Sequence, residues 1–94
     1  MPLIPSSLYA TLRQLIDTDA HAAMEQAEAA LENYGPDATL LCLRGHAATK
    51  LSLWHEALRC YMAAQELDPE SPAAEARAMI ESILEFSAPD MYNP

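Results

Sequence analysis

The 94-residue chain has two glycines, one lysine, one phenylalanine, one tryptophan and no valine. Two glycines cannot build a phosphate-cradling loop, and no GxxxxGK[ST] run occurs. With valine absent and aromatics at 6%, strand-forming residues are scarce, which argues against a sheet protein. Five Lys+Arg against fourteen Asp+Glu leave a formal charge of −9. Such a surface repels phosphate backbones and anionic headgroups, so neither nucleic acid nor a membrane is expected as a partner. No apolar stretch approaches the roughly 18 residues that span a bilayer. Residues 1–7 hold two prolines and no basic side chain, so no secretory signal is expected. Cys42 and Cys60 form no CxxC and no zinc-spaced Cys/His array. They read as free thiols packed as small apolar residues in a reducing, cytoplasmic setting.

What remains is helix-forming material. Eighteen alanines and thirteen leucines dominate a chain that is 51% hydrophobic, and these residues lose little entropy on entering a helix. The length suits one small domain. The expected fold class is all-α, with five helices.

The breaks locate them. Asp17-Thr18-Asp19, Gly35-Pro36-Asp37, Ser52 and Asp68-Pro69-Glu70-Ser71-Pro72 interrupt the pattern, and Ala88-Pro89-Asp90 closes it. The first helix is expected over about 6–17, where Leu8, Leu12, Leu15 and Ile16 recur at helical spacing. The second runs over about 19–33, capped by Asp19, with Ala20, Ala23, Ala27 and Ala30 as a thin apolar stripe. Gly35 suits the left-handed position that ends it. The third runs over about 38–51 under an Asp37 cap. Its Leu40-Leu41-Cys42-Leu43 run is apolar nearly all round, which predicts the most buried helix. Ser52 is expected to cap the fourth, about 53–67. Ser71 caps the fifth, with Pro72 in its first turn, and that helix is expected to stop near Phe86. Residues 87–94 lack helical pattern and read as a tail.

The third and fourth helices carry a specific spacing. Leu41, Gly45, Ala57, Tyr61, Ala64 and Pro69 follow one another at fixed offsets, with Trp54 opening the second helix of the pair. The run 38–71 resembles the tetratricopeptide repeat, whose signature is W-x2-L-G-x2-Y, then A-x3-F and a closing proline, over about 34 residues. Leu41 stands where the tryptophan would be, Arg44 replaces an apolar residue, and Ala48 replaces an aromatic one. Residues 6–36 resemble a degenerate copy, with Thr11 at the glycine position and Gly35 at the proline position. The last helix, 72–86, resembles a capping helix. The closing stretch, from Leu84-Glu85-Phe86 to the end, is similar to the tails of small bacterial proteins built on one well-formed repeat. The resemblance implies a right-handed α–α hairpin superhelix, two hairpins plus a cap, spanning 1–86 as one domain. It implies no defined activity.

Little in the chain carries reaction chemistry. His21, His46 and His55 are dispersed, and only Cys42 and His46 share a helix face at i, i+4. Two ligands are too few for a metal, so packing or groove lining is the better reading, and no cofactor or catalysis is expected. The glutamates read as a solvated face. The resemblance places a peptide groove on the first helix of each hairpin. Its positions fall on Thr39, Cys42, His46, Thr49 and Lys50, on Leu8, Leu12, Leu15 and Ile16, and on Ala73, Ala76, Ile80, Ile83 and Leu84. For the Leu/Ile set, plain core is an equal alternative. The Lys/Asn clamp by which some tetratricopeptide proteins hold a C-terminal carboxylate is absent, because Leu8, Leu12, Cys42 and His46 occupy the matching places.

The expected function is therefore a protein-binding module that docks a peptide or helix of another protein. A homodimer is the alternative, and a small type III secretion chaperone is another. An apolar groove on so short an array would also be an exposed patch. Phe86, Met91 and Tyr92 could fold back to cover it.

Overall fold

The computed structural model describes residues 3–92, with side chains as far as Phe86. Within them lie five helices and no strand: α1 (Ser6–Thr18), α2 (Ala20–Tyr34), α3 (Ala38–Lys50), α4 (Trp54–Leu67) and α5 (Ala73–Tyr92). Each helix packs on the next, and α1 also reaches α3. The molecule measures 50 × 28 × 18 Å.

The helix starts follow local chemistry. Asp19 Oδ1 accepts from the Ala22 amide at 3.1 Å, and Asp37 Oδ2 accepts from the Leu40 amide at 2.9 Å. Each satisfies an amide that the first turn leaves free. Ser71 Oγ accepts from the Ala73 amide at 3.4 Å where α5 begins. Gly35 ends α2 at φ 89°, a region closed to most side chains, and its amide donates to Leu31 O at 2.9 Å. α4 stops at Leu67 because the residue before Pro69 is pushed out of the helical region.

Two helix ends differ from the sequence pattern. Ser52 does not cap α4: it takes φ 59° in the α3–α4 turn, and Leu53 stands at the cap with no side-chain bond. The tight turn needs a left-handed residue there, which moves the serine side chain away from the first-turn amides. α5 continues past Phe86 to Tyr92. Pro89 falls inside its last turn rather than ending it.

α3 is shared by two cores. Leu40, Leu43 and Ala47 face Leu12 and Ile16 of α1 and Ala23, Ala27 and Ala30 of α2. Cys42 and Ala48 face Ala57, Tyr61 and Ala64 of α4 and Ala73 and Ile80 of α5. A helix buried on two sides must be apolar nearly all round, and this is why α3 lacks a polar stripe. Full burial of Leu12, Leu40 or Ile80 contributes about 1.5–3 kcal/mol each.

Candidate functional site

The site is built from the α3–α4 contact outward. Gly45 is buried, and a Cβ placed on it would lie 2.6 Å from Tyr61 Cε1. Only glycine therefore lets this edge of the Tyr61 ring lie against α3. The ring is 1% exposed, and its hydroxyl reaches across to two α3 side chains. Tyr61 Oη lies 2.7 Å from His46 Nδ1 and 3.3 Å from Thr49 Oγ1. Thr49 Oγ1 donates to Gly45 O at 2.8 Å. The threonine proton is committed to the backbone, so the Tyr61 proton goes either to Thr49 Oγ1, with His46 Nδ1 donating to Tyr61 Oη, or to His46 Nδ1 itself.

His46 looks into an open cavity of about 560 Å³. Thr39, Cys42 and His46 line it from α3, Arg13 and Ile16 from α1, and Asp68, Ser71 and Pro72 from the α4–α5 turn. Asp68 holds that turn by accepting from the Glu70 amide at 3.1 Å on Oδ1 and from the Ser71 amide at 3.0 Å on its carbonyl.

Electrostatics set the states of these groups. Burial, with Arg13 nearby, lowers the His46 pKa, so the ring is neutral at pH 7. Burial raises the Cys42 thiol, with a Ser71 hydrogen bond opposing, so the sulfur stays protonated and a weak nucleophile. Arg44, Lys50, Arg59 and Arg77 each have a carboxylate within ion-pair distance. Among the described residues, Arg13 is the one Lys or Arg side chain outside an ion pair. A neutral imidazole, a thiol, two hydroxyls and an uncommitted guanidinium can grip a polar ligand by hydrogen bonds. Among the described residues, no three His, Cys, Asp or Glu side chains converge as metal ligands would.

The expected groove positions divide. Thr39, Cys42 and His46 come together at the cavity, while Thr49 stands behind them as a brace for Tyr61. Lys50 is exposed and lies 3.5 Å from Asp17. Leu8 and Leu15 are half-buried against the first core, and Ala76, Ile83 and Leu84 against the second. Leu12, Ala73 and Ile80 are wholly buried, and Ile16 nearly so. Leu12 and Ile80 therefore correct the groove reading: each points at a neighbouring helix and offers a ligand no surface. Phe86 is 86% exposed and covers nothing, while the Met91 and Tyr92 side chains lie outside the described residues.

The repeat signature falls at close-packed points. Ala57, Tyr61 and Ala64 are buried, Leu41 and Trp54 are half-buried against the same core, and Pro69 sits in the turn. Sequence reasoning missed Arg13, whose only signal was the rarity of cations. It also missed Tyr9, whose hydroxyl donates to Asp37 Oδ2 at 3.0 Å and ties α1 to the cap of α3. Arg44, which looked like a departure from the repeat, is 16% exposed and bridges Glu28 of α2 and Glu56 of α4.

Comparison of the chain with protein-family models, with curated proteins and with solved structures finds no match.

Proposed function

We propose that the chain is a tetratricopeptide-like interaction module that holds a short segment of another protein, without catalysis, in the cavity between α1, α3 and the start of α5. The observation that carries this reading is the convergence of Thr39, Cys42 and His46 with the unpaired Arg13 on one open cavity. The packing order supports it too: α1 lies on α3 as the first helices of successive hairpins do in a right-handed superhelix. The cavity mixes apolar floor with hydrogen-bonding wall, so it suits an extended peptide with one apolar and one polar anchor.

Selection from a displayed library of random 12-residue peptides tests it. Enriched peptides should lose more than about tenfold in affinity when Thr39→Trp fills the cavity, and also when Arg13→Glu reverses its charge. No enrichment, or enriched peptides indifferent to both changes, would refute the reading. The homodimer is a second reading, favoured by Leu67, Met79 and Phe86, which are 51%, 47% and 86% exposed. Light scattering across a wide concentration range separates the two, since a peptide-binding monomer keeps one mass.

A further inference from the structure

α3 has a second open side. At about 100° per residue, Leu41 and Arg44 lie on the flank opposite Thr39, Cys42 and His46. There α3 is the floor of a cleft between α2 and α4. At the Arg44 turn the cleft is bridged. The guanidinium lies 3.8 Å from Glu28 of α2 and 3.1 Å from Glu56 of α4, and donates to Cys60 Sγ at 2.9 Å. One turn away, at Leu41, no ion pair or side-chain hydrogen bond crosses it among the described residues. Here Leu31, Pro36, Leu41, Ala63 and Leu67 line a cavity of about 620 Å³, with Glu66 as its charged wall.

The surrounding charge says what fits. Glu66 in the lining has no ion-pair partner among the described residues, nor have Glu32 and Glu70, which lie one and three positions along the chain from the lining residues Leu31 and Leu67. Arg44 and Arg59 are both held by Glu56. A second copy would bring another −9 to a cleft walled by Glu66 and be repelled. A basic chain would be attracted and steered in.

We infer that this cleft is a second docking site, which takes one leucine-sized or aromatic side chain from a Lys/Arg-bearing helix of another protein. The apolar side chain fills the gap over Leu41, and the basic residues meet Glu66 and its neighbours. The site lies on the far side of α3 from the Arg13 cavity and stands or falls independently of it.

The probe is a fluorescein-labelled amphipathic 14-residue helix of leucine and lysine, followed by fluorescence polarisation. Ala63→Trp fills the cleft and should weaken binding more than about tenfold. Glu66→Lys should weaken it several-fold. Glu75→Lys changes net charge equally but lies on α5, and Thr39→Trp blocks the other cavity; both should bind within about twofold of the parent chain. Circular dichroism melting shows whether each variant folds, and Leu67→Ser replaces Ala63→Trp should that chain fail. Three results would overturn the inference. The cleft-blocking variant could bind as the parent does. Glu75→Lys could weaken binding as much as Glu66→Lys, leaving net charge alone as the attraction. Light scattering could show a parent dimer that the cleft-blocking variant dissolves, which would give the cleft to a second copy.

Discussion

The two hairpins solve the same packing problem with different materials. α1 and α2 meet through Leu12, Ile16 and a stripe of alanines, contacts without direction. α3 and α4 meet through Gly45 under the Tyr61 ring, and the ring's hydroxyl is locked to His46 and Thr49. Apolar contact needs volume to be filled, and many side chains of similar size can fill it. A tyrosine lying on a glycine with its hydroxyl bonded admits one geometry. The hairpin with the directional contact is also the one that presents His46 to the candidate cavity. Fixing a cavity-facing side chain to fractions of an ångström requires that kind of support.

The largest test of this contrast is Tyr61→Ala. It should cost about 3–5 kcal/mol, because it empties the α3–α4 contact and strips His46 of its partner. Leu12→Met in the first hairpin conserves volume and should cost less than about 1.5 kcal/mol. Urea unfolding midpoints compare them, and equal losses would erase the distinction. Next is Gly45→Ala, expected to cost about 1–3 kcal/mol despite alanine's better helix propensity, since the new methyl meets the ring. In a Tyr61→Leu background the same change should cost less, and the difference is read as a double-mutant coupling.

Smaller effects sharpen the comparison. Asp37→Ala should cost about 1–2 kcal/mol, because that carboxylate both caps α3 and accepts from Tyr9. Asp19→Ala removes a cap alone and should cost about 0.5–1 kcal/mol. Thermal melts of the two variants give the order. The smallest effect is on pH. The His46 pKa is lowered from 6.5 in the folded chain, so below about pH 6.5 the unfolded chain takes up a proton that the folded chain refuses. Stability from this group is full above that pH and is lost as pH falls toward the folded value. His46→Gln should flatten that part of the stability–pH curve, and an unchanged slope would show that other groups carry it.

The helices were legible because their signals are local. Asp19 and Asp37 as caps, Gly35 as a stop and Pro69 as a break each act on amides or dihedrals within a few residues. Ser52 was misread because a serine before a helix is a cap only if the turn holds it extended, and this turn holds it left-handed. The site was legible in part. Spacing put Cys42 and His46 on one face, the repeat resemblance added Thr39, and all three line the cavity. Arg13 was not legible beside them, because it lies 33 positions from His46 and reaches it only when α1 lies on α3.

By itself, then, the sequence determined an all-helical chain, the identity of its most buried helix and the small residues at its closest contact. Those follow from composition, spacing and capping, which operate over one or two helical turns. Only the tertiary structure decided which apolar residues are core and which are surface. Leu12 and Leu8 share one stripe of α1, yet one is sealed and the other half-open. The burial of a side chain depends on where the neighbouring helix crosses, and no local pattern encodes that crossing. The same holds for the charges: Arg44 is bridged and Arg13 is free because of which acidic groups the packing brings within reach.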